Sequence, residues 1–264
     1  DCKLQTHLRH HRLAEALDPD VAVVSVMAVN NEVGTITDLT AVAAVVRELA
    51  PQALLHTDAV QAACWLDLRR LAPLVDAMSL SAHKFGGPKG VGVLTIRDDR
   101  ALTPLLIGGG QERERRSGTH NVAGIVAMTA ALAETDAHRD TENERLAALR
   151  DRLVDEISGA VTDVVETVPR DRKVAGSAHV CIDGIESESL LYLLDEADLC
   201  ASAASACASG AMEPSHVLSA MGVDRQRAGG ALRMSLGHTS TTADIDRGVD
   251  VVVDAVRRLR RAAA

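Results

Sequence analysis

The sequence predicts an α/β protein whose mainly parallel sheet is flanked by helices and followed by a smaller α+β part. Three observations predict it. Apolar runs at residues 21–29, 53–56, 76–80 and 91–96 have strand length and end at turn residues. A helical pattern over Leu39–Leu49 separates the first two runs, and strand–helix–strand order favours parallel pairing. Beyond residue 121 the apolar period lengthens to that of helices before shorter strand-like runs return.

Each element follows from its own pattern. Run 21–29 is apolar on both faces, as a buried strand would be. Run 53–56 is a short strand that ends at Asp58, and runs 76–80 and 91–96 flank a Gly/Pro-rich turn. From Asn121, the residues Val122, Ile125, Val126, Met128, Ala131 and Leu132 share one helix face. Charges between Asp136 and Glu144 interrupt that face, and Leu146, Leu149, Leu153 and Ile157 mark a second helix. A domain boundary is expected there, giving a large domain at 1–135 and a small one at 136–264. In the small domain, strands at 178–182 and 232–236, a helix at 188–196 and a loop at 201–213 precede a final helix at 244–261. Thr241 and Thr242 are its expected caps.

Composition narrows the function. The chain has 264 residues, 47% of them apolar, and a net charge of -9, which argues against disorder and against a nucleic-acid partner. No apolar run reaches the length of a membrane span and no signal peptide is visible, so no membrane association is expected. Phe85, Trp65 and Tyr192 are the only aromatic residues, which leaves little for base stacking or aromatic cages. Cys2, Cys64, Cys181, Cys200 and Cys207 form no C-x-x-C pair, as expected of a reducing cytoplasm rather than a disulfide framework or zinc ribbon. His7, His10 and His11 have helical spacing but no accompanying carboxylate or cysteine motif, so a solvated helix face is expected there and no metal. The chain begins Asp1-Cys2-Lys3, and a piece of a longer protein is expected.

Chemistry concentrates at strand ends. Lys84 stands where a strand gives way to Phe85-Gly86-Gly87-Pro88, with Ser81 and His83 beside it. A lysine on so rigid a frame suits a Schiff base, and its short polar neighbours suit an anionic cofactor. Asp58 follows a buried run, where an acid needs a cationic partner such as a protonated pyridine nitrogen; a helix N-cap would use the same residue type. Gln61 lies about one helical turn further on. Asn30-Asn31-Glu32-Val33-Gly34-Thr35 adds amides after the first strand, though alone it reads as a turn. The glycine-rich loop Gly108-Gly109-Gly110-Gln111-Glu112, running on to Arg116-Ser117-Gly118-Thr119, offers backbone N–H groups to phosphate. Cys207 is surrounded by Ala, Ser and Gly, which suits an accessible nucleophile better than a packed thiol. Arg233 interrupts an apolar run and needs an anion, either a substrate carboxylate or a structural partner.

Taken in order, these motifs resemble the pyridoxal-phosphate-dependent cysteine desulfurases of the NifS/IscS type, within the class V aminotransferases. The matching segments run from Asn30-Asn31-Glu32-Val33-Gly34-Thr35 through His56-Thr57-Asp58-Ala59-Val60-Gln61, Ser81-Ala82-His83-Lys84, the two glycine-loop motifs, and Ser205-Ala206-Cys207 with Glu213-Pro214-Ser215, to Arg233-Met234-Ser235-Leu236-Gly237. They span nearly the whole chain.

The resemblance implies an aspartate-aminotransferase-like fold and pyridoxal 5'-phosphate as cofactor. Lys84 would join the cofactor covalently, Asp58 would pair with its pyridine nitrogen, and Gln61 and Asn31 would contact its phenolate side. Ser81 and His83 would hold the phosphate, and Thr119 would reach the phosphate of a neighbouring subunit, which implies a homodimer. Asn31 and Arg233 would meet the carboxylate of L-cysteine, and Cys207 would take its sulfur as a persulfide. An iron–sulfur scaffold or another sulfur-acceptor protein is the implied partner, and tRNA thiolation a second use of the sulfur. Other readings are a selenocysteine lyase, or a truncated chain that only dimerises. The family's N-terminal segment, with a Gly-Ala-Thr-Glu-like phosphate turn and a ring-stacking histidine, is absent from the sequence. Ala204 and Met234 stand where the family usually has Gly and Phe.

Overall fold

The computed structural model describes residues 10–98, 100, 102–203 and 215–263, with the side chains of residues 10 and 11 outside that description. These residues form two compact units. One comprises the described residues up to Ala28 and those from Asp38 to Arg139; the other comprises Val29–Thr37 and the described residues from Asp140 on. The excursion of Val29–Thr37 into the second unit was not anticipated by a division into consecutive halves.

The first unit holds α1 (His10–Glu15), β1 (Val23–Met27), α2 (Leu39–Leu49), β2 (Leu54–Asp58), α3 (Leu68–Leu71), β3 (Ala77–Ser81) and β4 (Gly92–Ile96). Its sheet has the order β1-β2-β3-β4. The first two pairings are parallel and the last is antiparallel. α2 matches its expected bounds because its buried residues, Leu39, Val42, Ala43 and Val46, recur at helical spacing, and because Asp38 accepts from the Ala41 N–H. β1 departs from expectation. It lies at the sheet edge and Val23 is 58% exposed, so an apolar run on both faces is not buried on both.

Along β2 the side chains alternate, with Leu55 and Thr57 buried and His56 and Asp58 half-buried. Asp58 is the register partner of Ser79, so Asp58, Ser79 and Ser81 share a face. On that face His56 bridges Ser25 (2.8 Å) and Ser79 (3.1 Å). Beneath the sheet, Asp76 is buried and accepts from both Arg47 nitrogens at 3.0 and 3.1 Å and from the Leu55 N–H at 2.8 Å. It ties α2, β2 and the start of β3 together.

α4 (Val122–Ala160) runs without interruption through the charged segment where a break was expected. The charges pair along the helix: Arg139 with Asp136, His138 with Glu134, and Arg145 with Glu142, all at i,i+3 or i,i+4. Such pairs support a helix rather than end it. α4 belongs to the first unit up to Arg139 and to the second from Asp140.

The second unit contains β5 (Val164–Glu166), β6 (Ser177–Ile182), α5 (Ser187–Glu196), α6 (His216–Ala220), α7 (Arg225–Ala228), β7 (Ala231–Ser235) and α8 (Thr242–Ala263). Its sheet is antiparallel with the order β5-β6-β7, and every residue of β6 is buried. α8 buries Ile245, Gly248, Val252, Val253, Ala255 and Val256, one stripe of an amphipathic helix. Thr241 caps it; Thr242 is already its first residue. Among the described residues no helix is long and apolar enough to cross a membrane.

Candidate active site

In the first unit, the turns after β2 and β3 meet. Lys84 sits on a single 3-10 turn, Ala82–Phe85, directly after β3. Gly86 ends that turn at φ +83°, a conformation glycine adopts without the Cβ clash of other residues. The Cys64 thiol, in the turn after β2, donates to the Lys84 carbonyl at 3.3 Å, and Thr135 Oγ1 donates to the Phe85 carbonyl at 3.3 Å. Lys84 is exposed, and its amine has no hydrogen bond or ion pair with any described residue. Ser81 Oγ and His83 Nδ1 are 2.8 Å apart.

Asp58 ends β2. Its Oδ1 accepts from the Val60 N–H at 2.9 Å, and the Ala28 N–H donates to its backbone carbonyl. The cap-like bond expected of an Asp here is therefore made, while Oδ2 takes no hydrogen bond from a described residue. Gln61 follows in the same turn, half-buried. The glycine-rich loop enters a 3-10 turn at Gln111–Glu114, where Glu112, Arg113 and Glu114 all take positive φ. Gln111 Oε1 accepts from the Gly118 N–H at 3.1 Å, and Thr119 is exposed beside it. Arg100, Arg113, Arg115 and Ser117 line a cavity of about 530 Å³ next to this loop.

Asn31 and Arg233 belong to the second unit, apart from the Asp58 and Lys84 set in this division of the chain. Arg233 Nη1 donates to the Asn31 carbonyl at 3.1 Å. The Arg233 backbone also pairs with Ser202 through bonds of 2.6 and 3.1 Å. The loop expected at 201–213 is thus anchored to β7 at its start. At its far end Ser215 accepts from the Val217 and Leu218 N–H groups and caps α6. Cys207 and Ala204 lie outside the described residues, as do Cys2, His7 and the side chains of His10 and His11.

Two features were not read from the sequence. Cys64 carries no motif of its own; only its place after Asp58 on the way back to Lys84 could have pointed to it. Burial raises its thiol pKa, with the Arg139 charge opposing, so it remains a hydrogen-bond donor. His179, fully buried in β6, looked like an ordinary polar residue in a strand.

The class-V aminotransferase family matches residues 2–247. The chain belongs to that family. It is 46% identical over 254 residues to the IscS-like cysteine desulfurase of Mycobacterium tuberculosis, covering 95% of this chain and 64% of the relative. It thus spans less than two thirds of that relative's length. Among solved structures, a NifS-like protein superposes with a TM-score of 0.86 at 33% identity, covering 96% of this chain and 66% of that one. SspA in complex with cysteine superposes with a TM-score of 0.67 at 28% identity, covering 88% of this chain and 63% of that one. The fold is that of the NifS-like class-V enzymes, a mainly parallel sheet flanked by helices.

The donor set of this class-V chain fits pyridoxal phosphate. Lys84 offers an amine unengaged by described residues, on a turn clamped at two carbonyls. Asp58 offers a carboxylate oxygen, fixed through its partner oxygen, for a protonated ring nitrogen. Ser81 and His83 offer an oriented hydroxyl–imidazole pair at the same strand end, the donor types a phosphate requires.

Proposed function

We propose that the full-length protein is a pyridoxal-phosphate-dependent cysteine desulfurase that converts L-cysteine to L-alanine and carries the sulfur as a persulfide on Cys207. The observation that carries this reading is the meeting of the Asp58 and Lys84 turns through the Cys64–Lys84 bond, within a family whose motifs recur here in order.

When bound, pyridoxal phosphate supplies an electron sink for charge at the substrate α-carbon. The chain's own residues do the rest. Asp58 keeps the ring nitrogen protonated through its ionised carboxylate. Ser81 and His83 hold the phosphate, joined by Thr119 of a second copy, and Gln61 and Asn31 donate to the phenolate side. Lys84 anchors the cofactor and, when freed, moves a proton as general base. Asn31 and Arg233 hold the substrate carboxylate, the latter through the planar fork that suits a carboxylate. Cys207 attacks the substrate sulfur as a thiolate; the carbon–sulfur bond breaks, its electron pair stays with carbon, and protonation there leaves alanine.

A homodimer is favoured by apolar residues left exposed before and after the glycine-rich loop. Leu105 is 96% exposed, Ile107 88%, Val122 65% and Val126 63%. Apolar side chains so exposed suit burial against a second copy. The persulfide sulfur would pass to an iron–sulfur scaffold or a tRNA-thiolation acceptor in the cytoplasm. The two-domain division at 1–135 and 136–264 belongs to the same proposal.

The test uses the full-length protein. Adding pyridoxal phosphate should give a visible absorption band that Lys84→Ala loses. Sulfide release from L-cysteine should vanish in Cys207→Ser while the band persists. A wild type with no band would overturn the assignment. A band with no dependence of sulfide release on Cys207 would favour a relative such as a selenocysteine lyase.

A further inference from the structure

A circuit of charged side chains closes on itself in the second unit. It starts at Lys173, whose side chain is fully buried and whose ammonium donates to Glu166 Oε1 on β5. Glu166 Oε2 accepts from Arg170 Nε at 3.0 Å. The same Arg170 nitrogen lies 3.4 Å from Asp151 Oδ1 on α4, and Arg170 Nη1 donates to Asp155 Oδ2 at 3.2 Å. Asp151 Oδ1 accepts from Arg150 Nε at 2.8 Å. Arg150 is itself buried, and its Nη1 donates to the Val174 carbonyl at 3.1 Å. Val174 follows Lys173 in the chain, so the circuit ends beside its start.

The segment held at both ends of this circuit carries the Asn30–Thr35 turn. Lys173 forms an antiparallel bridge with Thr35. The Val174 N–H donates to the Gly34 carbonyl at 3.0 Å, and the Ile36 N–H to the Arg172 carbonyl at 2.9 Å. Stability alone does not call for charge at position 173. Burial lowers the Lys173 pKa, with Glu166 opposing, so the ammonium is costly to keep there. Apolar side chains of similar volume often replace a buried ion pair without loss. A buried pair supplies something else: an ammonium is low in energy only where its carboxylate is, whereas an apolar chain packs in several ways.

We propose that Lys173 is a positioning residue. Through the circuit of Glu166, Arg170, Asp151 and Arg150 it fixes where the segment Arg172–Val174 lies, and with it the turn that presents Asn31. The effect on the reaction rests on the reading of Asn31 as a cofactor and substrate contact; the placement of the turn does not.

The full-length, cofactor-loaded protein tests both layers. Lys173→Met keeps a long side chain and removes its charge, while Glu166 keeps Arg170 as partner. The urea midpoint should be unchanged or higher, as expected when a buried ion pair gives way to an apolar side chain. Hydrogen exchange at the Ile36 and Val174 amides should nevertheless speed up about tenfold, because the turn and its carrier open locally. KM for L-cysteine should rise about tenfold with kcat within about twofold. If Lys173→Met fails to fold, Lys173→Met with Glu166→Gln carries the same expectation, because it removes both charges of the pair. Unchanged exchange at the two amides would overturn the inference. So would exchange that rises only in step with a fallen urea midpoint, since the pair would then stabilise without placing the turn. Faster exchange with KM unmoved would leave the placement standing and reject the reading of Asn31. Asn31→Ala checks that reading by itself: if KM stays at the wild-type value there, the reading is wrong whatever Lys173→Met does.

Discussion

The Cys64 thiol donates to the backbone carbonyl of Lys84 across 3.3 Å, and Thr135 holds the next carbonyl at the same distance. Two consecutive carbonyls of a four-residue turn are thus fixed from different elements. The turn has little freedom left, while the lysine side chain keeps all of its own. Cys64→Ala removes one clamp. The expected loss is about 0.5–1.5 kcal/mol, or about 2–13-fold in cofactor affinity, read by titrating the visible band. Cys64→Ser keeps a donor and should restore most of it. Equal losses in the two variants would mean that the bond does not hold the turn.

How far the sequence discloses this arrangement depends on the type of residue. Asp58 and Lys84 are legible because each ends an apolar run with a chemically costly side chain. α2 is legible because Leu39, Val42, Ala43 and Val46 repeat at helical spacing. The continuity of α4 is not legible: a charged run looks the same whether it ends a helix or laces its surface, and only the pairing of Arg139 with Asp136 and Arg145 with Glu142 decides. Nor is the placement of Val29–Thr37, which follows from the Thr35–Lys173 bridge and the Val174 N–H bond to the Gly34 carbonyl rather than from chain order. Val23 misled because β-propensity reports a pleated surface, not which face is covered.

Asp76 makes the first unit sensitive to acid. Burial alone would raise its pKa, but the hydrogen bonds from Arg47 and the Leu55 N–H, with the Arg47 and Arg100 charges, outweigh that and lower it. A carboxylate with a depressed folded pKa stabilises fully above its unfolded value, about 3.9, and loses that contribution as pH falls through the folded one. Asp76→Ala should cost about 3–5 kcal/mol at pH 7 in urea unfolding, the typical cost of breaking a buried pair. The gap to wild type should narrow below about pH 4. A gap independent of pH would mean that packing, not charge, carries the effect.

The start of α8 is held by a reciprocal cap. The Thr241 N–H donates to Asp244 Oδ2 at 2.8 Å, and the Asp244 N–H donates to Thr241 Oγ1 at 3.3 Å. The Thr241 side chain and N–H lower the Asp244 pKa, chiefly through the hydroxyl. Thr241→Ala should lower Tm by about 2–4 °C at neutral pH. The difference should shrink as pH falls through the depressed Asp244 value, where the carboxylate takes a proton and the reciprocal bond weakens. Scanning calorimetry at two pH values reads both.

Gly34 is fixed by two independent constraints, and a double variant separates them. Its φ is +77°, and a Cβ there would approach Ser177 Cβ and Oγ to 2.6 Å. The turn around it is tightly bonded: Asn30 Oδ1 accepts from the Glu32 and Val33 N–H groups at 2.9 Å each, and the Gly34 N–H donates to the Asn30 carbonyl at 3.0 Å. The turn therefore has no slack to take up a side chain. Gly34→Ala should cost about 2–5 kcal/mol, roughly 1–2 from the left-handed backbone and the rest from the collision. Adding Ser177→Gly removes the collision partner and should return the second part but not the first, so the two substitutions are non-additive by about 1–3 kcal/mol. Because this turn presents the Asn31 carbonyl to Arg233, the KM for L-cysteine should rise in Gly34→Ala and recover in the double variant along with stability. Recovery of stability without recovery of KM would show that the left-handed turn, rather than its packing on β6, places Asn31.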